Sequence, residues 1–281
     1  MTKQKVKSKE ELLTKQVYSK QAEREWNRLA GDAFHQIEFE TTFRFLNIYL
    51  PKKGIILDAG GGPGRYTIEL AKRGYSIILL DLVKENLELA KRKIREAKVD
   101  DKVRNIIEGN IVNLSKFNDN TFDAVICLGG PLSHVAPEKN RLRAISELIR
   151  VSKKNAPIFI SVMGRFGALM QFPRRWPNEI IPTTHFKQYV FNGEDYMWVG
   201  KHYCHFFTLE EFLRLFIDKR ITILKKVGLE GLSTVDSESI NKLHNDSPKA
   251  WKNWMDAHYK LCTYDTIVDI SAHMMVICRK K

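Results

Sequence analysis

Apolar positions along the middle of this chain form short continuous runs separated by stretches with three-and-four spacing. The runs are Ile55-Ile56-Leu57, residues 75–81 (ending in Leu79-Leu80-Asp81), residues 103–107, residues 122–128 and Pro157–Met163. Runs of this length read as strands buried on both faces. After the second run, Leu82, Leu87, Leu89, Ala90 and Ile94 follow a helical pattern. After the fourth, Leu142, Ile145, Leu148, Ile149 and Val151 make one apolar face of a second helix. Strands that alternate with amphipathic helices predict a parallel sheet covered on both sides, and such sheets bind ligands at the carboxyl ends of their strands.

The flanks carry a different pattern. Residues 18–29 look helical, and Phe34, Ile37, Phe39, Phe43, Phe45 and Leu46 then lead to a stop at Pro51. Thr208 with Glu211 three residues on reads as a capping box opening a helix. Residues 221–227 read as a sixth strand or as an extension of that helix, and residues 271–278 as the final strand. Between these two, residues 246–264, with Trp251, Trp254, His258 and Tyr259, predict an inserted helix. Residues 164–207 are crowded with aromatics broken by proline, among them Phe172, Trp176, Phe186, Tyr189, Trp198 and Tyr203. A stretch that long inside a compact domain is functional or folds as its own unit. It reads either as a cap over a ligand or as an extra hairpin that only packs on the body.

The first strand carries the most specific chemistry. Its run ends in Asp58-Ala59-Gly60-Gly61-Gly62-Pro63-Gly64-Arg65-Tyr66, a glycine turn that opens a helix. Glycine suits positions where the backbone turns with positive φ or a ligand lies against it. The dinucleotide fingerprint fails because its last glycine falls on Arg65, and no G-K-[ST] follows for a phosphate loop. Asp58 also argues against a pyrophosphate and in favour of a ligand with a cationic amine.

These residues resemble motif I of the class I S-adenosylmethionine-dependent methyltransferases, with Asp58, Gly60, Gly62 and Gly64 on its [DE]-x-G-x-G-x-G pattern. The resemblance is close over residues 50–165. It implies a Rossmann-like, doubly wound α/β sheet of seven strands, mostly parallel with an antiparallel edge strand, plus an inserted cap. It also implies a cofactor site built from Asp58, Ala59, Gly60, Gly61, Gly62, Gly64, Arg65 and Tyr66 at the first turn. Asp81 and Leu82 stand where an acid takes the ribose hydroxyls, about twenty residues from the glycines. Asn110 and Ile111 stand where the adenine is met, with Asn110 departing from the commoner Asp. Leu128 and Gly129, at the end of a strand that resembles motif IV, lie beside the reactive methyl. In this family an N-terminal segment often folds over the cofactor, so Tyr18 is expected there, with Arg24 or Arg28 pairing with its methionine carboxylate. The other reading packs Tyr18 on the core and leaves the arginines in water.

The implied organisation is a helical lid segment over residues 1–50, a core over 51–163 and 208–281 with a helical insertion at about 236–264, and a cap over 164–207. Methyl transfer is a displacement that needs positioning and, for some acceptors, a base. His134 is the candidate base, being close to the end of the fourth strand, or else a structural residue; His185, His202, His205 and His273 are weaker candidates. The 202–205 grouping has no standard metal-ligand spacing, so no metal is expected.

Composition narrows the partners. The 281 residues carry a net charge of +13, but the basic residues are spread over the tail Lys3, Lys5, Lys7 and Lys9, a mixed-charge helix and the last residues, so solvated faces explain them as well as RNA does. The D/N-P-P-Y/F tetrad of base-amine methyltransferases is absent. Four cysteines, Cys127, Cys204, Cys262 and Cys278, form no C-x-x-C pair, and no run is long enough to span a membrane. The expectation is a cytoplasmic monomer or homodimer that methylates a small molecule with S-adenosyl-L-methionine. An RNA or protein methyltransferase and a non-catalytic cofactor-binding module are the alternatives.

Overall fold

The computed structural model describes residues 9–196 and 202–281. Lys3, Lys5, Lys7 and Trp198 lie outside the described residues. Three helices, α1 (Lys9–Ser19), α2 (Ala22–Arg28) and α3 (Ala33–Tyr49), precede the sheet. The Asp32 side chain starts α3 by accepting the His35 N–H. Leu50 ends it in an extended conformation, as the residue before a proline prefers.

The chain then alternates as the apolar pattern predicts: β1 (Ile55–Ala59), α4 (Arg65–Lys72), β2 (Ser76–Asp81), α5 (Lys84–Glu96), β3 (Val103–Glu108), β4 (Ala124–Cys127), α6 (Glu138–Val151) and β5 (Pro157–Met163). An insertion follows, with α7 (Arg165–Arg175), α8 (Thr183–Asn192) and a minimal antiparallel pair, β6 (Glu194–Asp195) and β7 (Cys204–His205). The chain returns through α9 (Leu209–Arg214), β8 (Ile221–Gly228), α10 (Ser237–Asp246), α11 (Pro248–Leu261), α12 (Asp265–Asp269) and β9 (His273–Lys280).

The sheet order is β3-β2-β1-β4-β5-β9-β8. β1 to β5 are mutually parallel, and β9 runs antiparallel to both β5 and β8. The last strand is the antiparallel member, as expected, but it lies between β5 and β8 rather than at the edge, which β8 takes. Their residues explain the order. Met274 to Cys278 are fully buried and need a strand on each side. β8 exposes Thr222 and Ile223 and carries Lys225 and Lys226, which suits an edge.

Alternate residues of each strand supply two cores. Leu57, Val125, Ile158 and Ile160 pack with Ala144, Ile145 and Leu148 of α6 and Phe212 of α9. On the other face, Ile56, Leu79, Ile126 and Phe159 pack with Phe43 and Leu46 of α3, Ile68 and Leu70 of α4, and Leu87 and Ile94 of α5. The capping box at Thr208 and Glu211 is formed, and residues 221–227 lie in a strand. The inserted helix expected over 246–264 is α11, capped by Ser247, and α10 stands before it as a further helix of the insertion. Both pack on α3 through Phe34, Ile37, Ile240, Met255, Trp251 and Trp254.

The aromatic stretch is mainly helical and encloses its own cluster of Ala168, Phe172, Tyr189, Cys204 and Phe206. A bridge between Gly164 and Phe207 closes its base. Among the described residues no helix is long and apolar enough to cross a membrane, and all four cysteines are buried and unpaired.

The joint between α3 and the sheet yields a stability prediction. Leu46 is fully buried in the second core. Leu46→Ala is expected to cost about 2–5 kcal/mol, read as a lower urea midpoint with an unchanged m-value.

Candidate functional site

The strand order reverses between β1 and β4, since β2 and β3 lie on one side of β1 and β5 on the far side of β4. A cavity of about 570 Å³ opens at the carboxyl ends of these strands, where sheets of this type hold ligands. Its floor is the glycine turn after β1. Gly60 and Gly61 donate to the Leu80 carbonyl at 2.6 and 3.2 Å, tying this turn to the end of β2. Gly64 opens α4 at φ 83°, in the left-handed region that disfavours side chains. A Cβ on Gly61 would come within 2.5 Å of the Asp58 carboxylate and of Leu79.

Asp81 locks the second turn. Its Oδ2 accepts the Gly62 N–H at 2.8 Å, while Oδ1 accepts the Val83 N–H at 2.9 Å and the Asn86 side-chain amide at 3.2 Å. A carboxylate offers about four lone-pair sites, so one remains for a ligand. Burial nevertheless pushes its pKa up against these three hydrogen bonds. Leu82 and Ile111 face the cavity from the ends of β2 and β3. Asn110 is braced on both sides, accepting the Val112 N–H at 2.9 Å and donating to Glu11 at 3.1 Å.

Past β4, Leu128 and Gly129 line the cavity, and the Gly129 N–H is fixed by the Ser161 hydroxyl at 2.9 Å. A short 3-10 turn, Pro131–His134, follows.

The roof comes from the N-terminal helices. Glu11, Thr14 and Tyr18 of α1 and Glu25 and Arg28 of α2 all line the cavity. Lys15 pairs with Glu108 at 2.6 Å and holds α1 down on the end of β3. Arg65 pins α2: its guanidinium lies 4.1 Å from the centre of the Trp26 ring, and its Nε donates to the Trp26 carbonyl at 2.8 Å. Arg24 is exposed and is not among the lining residues.

Several expected residues take other places. Asp58, Ala59 and Gly64 lie beneath the floor and do not line the cavity. The Asp58 carboxylate turns under the glycines and accepts the Thr67 hydroxyl at 2.6 Å. Burial pushes its pKa up to about 7, opposed by the Thr67 hydrogen bond and helped by the Asp81 charge.

His134 reaches the cavity, but both its nitrogens are engaged. Nδ1 donates to the Tyr203 carbonyl at 3.1 Å, so Nε2 is the acceptor and takes the Tyr18 hydroxyl at 2.8 Å. Burial lowers its pKa to about 4, with the neighbouring His202 adding to the effect. Tyr18 meets the His134 and His202 rings edge-on, with centroids 5.3 and 5.4 Å away.

Among the described residues, none of 164–207 lines the cavity, and neither do Trp251, Trp254, His258 or Tyr259. The aromatic insertion backs His134 from outside, where the Tyr203 hydroxyl also accepts from the buried Arg141 at 2.7 Å.

The acid that holds Arg28 at the cavity, Glu38, was missed in the sequence. Arg28 binds the buried Glu38 through both terminal nitrogens, at 2.5 and 3.3 Å, and its Nε lies 3.6 Å from Glu25. Behind Glu38, His273 Nδ1 lies 3.7 Å from Glu38 and 2.6 Å from Glu230. The signal was a lone acid on the buried face of α3, at helical spacing from Phe34, Thr41, Thr42 and Phe45. Glu38, Glu230 and His273 have the donor types of a metal site, as do Glu179, His185 and Asp195 in the insertion. In the first group the Arg28 guanidinium already supplies a cation.

Residues 56–155 match the family described as a methyltransferase domain. A probable methyltransferase of Aspergillus luteorubrus is 30% identical over 162 residues, 55% of this chain and 55% of that protein. The chain thus spans about half the length of this relative. The ubiquinone biosynthesis O-methyltransferase of Rickettsia prowazekii is 29% identical over 74% of this chain and 69% of its own. Among solved structures, an S-adenosylmethionine-dependent methyltransferase of Methanosarcina mazei superposes with a TM-score of 0.57 at 23% identity, covering 84% of this chain and 96% of that one. The last likeness shows a shared fold.

The buried acid under the turn gives a pH prediction. Because Asp58 titrates near 7 in the fold and near 4 when unfolded, its contribution is fullest below about pH 4 and is lost as pH rises toward 7. The stability difference between the protein and Asp58→Asn, read from urea melts, should change by at most about 1.4 kcal/mol per pH unit across that window and level off above it.

Proposed function

Because the chain belongs to the class I S-adenosylmethionine-dependent methyltransferases, we propose that it transfers the methyl group of S-adenosylmethionine to a small molecule. The observation that carries this reading is a roofed cavity at the β1/β4 switch point with different chemistry at each end. Its size lies within the range of small-molecule sites.

The residues present fit the cofactor. Asp81 keeps one lone-pair site for the ribose hydroxyls. Leu82 and Ile111 bracket the space for the adenine, and Asn110 stands at its edge. Gly60, Gly61 and Gly62 bring bare backbone to the floor. Arg28 and Glu25 offer a cation and an anion side by side to a zwitterionic end, with Gly129 beneath. Asp58, Ala59 and Gly64 serve indirectly, by shaping the turn, whereas Arg65 and Tyr66 line the cavity and also hold α2 and α3 against it.

S-adenosylmethionine supplies an electrophilic methyl group on a sulfonium. The protein's part is to hold an acceptor in line with it and exclude water, and placement of this kind contributes about 7 kcal/mol or more in favourable cases. α1 closes the space from above. Tyr18 donates its hydroxyl hydrogen bond to His134 Nε2, so the lone pairs of its oxygen are free to take an N–H or O–H of the acceptor. As the acceptor's proton passes to the Tyr18 oxygen, the hydroxyl proton of Tyr18 passes to His134 Nε2, which leaves a neutral phenol and an imidazolium. The insertion shapes this pair from behind, through the Tyr203 carbonyl, and the α1–α2 segment acts as the lid.

Calorimetry and thermal melts test the reading. S-adenosylhomocysteine should bind and raise the Tm while a nicotinamide dinucleotide does neither; stabilisation by the dinucleotide alone would overturn it. Label transfer from methyl-tritiated S-adenosylmethionine to pooled small amines, phenols and thiols then finds the acceptor. With that acceptor, Tyr18→Phe and His134→Gln should keep S-adenosylhomocysteine affinity within about threefold and lower turnover by about 10²-fold or more. Since His134 stays neutral above about pH 5, turnover should fall on the acid side with an apparent pKa near 4, well below an ordinary histidine.

A further inference from the structure

Arg28 does not hang free in the cavity. Of its five N–H donors, two are taken by the two oxygens of Glu38, one from each terminal nitrogen. Such a two-point grip fixes the plane of the guanidinium as well as its position. It leaves Nη2 above the bare backbone of Gly129, where a Cβ would lie 3.6 Å from it. The Glu38 side chain is 1% exposed, whereas Arg28 keeps 22% of its side chain open. One edge of the fork is thus anchored in the protein and the other is available.

Glu38 is held in turn. It sits on α3, and His273 at the start of β9 approaches it at 3.7 Å. Glu230 accepts both the Nδ1 of His273 at 2.6 Å and its backbone N–H at 2.8 Å, so the imidazole cannot turn away. Burial disfavours charge on His273, but Glu38 and Glu230 outweigh it and raise its pKa. With His273 protonated, the four groups Arg28, Glu38, His273 and Glu230 sum to zero, and this balance makes the burial of two carboxylates tolerable.

We propose that Glu38, steadied by His273 and Glu230, is a positioning residue that holds Arg28 to receive the carboxylate of the cofactor's amino-acid end, with Glu25 beside it for the ammonium. This rests on the cofactor reading above. The acid facing the amine is then Glu25, which lines the cavity, while Asp58 stays under the floor.

The test compares two ligands that differ in the part Arg28 would hold. S-adenosylhomocysteine carries the amino acid; 5′-methylthioadenosine keeps the nucleoside and thioether without it. In Glu38→Gln the Kd of S-adenosylhomocysteine should rise about tenfold or more while that of 5′-methylthioadenosine changes less than about twofold. In an Arg28→Ala background, Glu38→Gln should have little further effect on S-adenosylhomocysteine. An equal loss for both ligands, or no loss for either, overturns the proposal. If Glu38→Gln does not fold, His273→Gln carries the same comparison, with the same split expected. If neither ligand binds the unaltered protein, it is the cofactor reading that fails.

Discussion

The Asp81 carboxylate is the fastening on which the site depends. At the carboxyl ends of parallel strands the chain leaves the sheet, and its backbone donors lose their ladder partners. Asp81 answers that need for both neighbouring turns at once, taking the Gly62 N–H from one and the Val83 N–H from the other. The Leu80 carbonyl works in the opposite sense, accepting from Gly60 and Gly61. The two loops that frame the cavity floor are therefore one hydrogen-bonded unit, and a ligand that uses the remaining lone-pair site of Asp81 touches both.

Around this fastening, each further wall is tied to a different element. The β4 turn packs Pro131 on Gly60 and anchors Gly129 to Ser161 of β5. The α1 roof is held at Glu108 and Asn110 around the end of β3 and at His134 in the turn after β4. Trp26 and Arg65 join α2 to α4. The cavity thus takes its shape from contacts between elements far apart in sequence, on a scaffold whose strands fix only its floor.

That division explains what was legible. Apolar runs located β1 to β5, and the residues at their ends found Asp81, Leu82, Asn110, Ile111, Leu128 and Gly129, because strand ends have a fixed place in such a sheet. Tyr18 and Arg28 reach the cavity as the family resemblance implied. What a one-dimensional pattern does not contain is direction. Asp58 points below the floor because Thr67, in the first turn of α4, offers it a donor there. Aromatic density at 164–207 marked a folded unit, but its rings face one another in a core of their own, and Tyr203 and His202 are where it meets the site. Glu38 looked like one more polar position in an apolar helix, and its meaning came from β9, more than two hundred residues on.

The placement of β9 has a consequence for how the molecule is made. β1, β2, β3 and β4 pair within one compact stretch of chain, so the floor of the cavity can assemble while synthesis is still under way. β5 must wait for β9, across the insertion and all of α9 to α12, before that side of the sheet is filled. Pairings over such separations are slow to form, because loop closure is unfavourable before the contacts can reward it. His273 is the first residue of that late strand. The charge balance behind Arg28 is therefore among the last parts of the protein to appear, and a chain that stops short of β9 retains the floor of the site without the partner that steadies its cation.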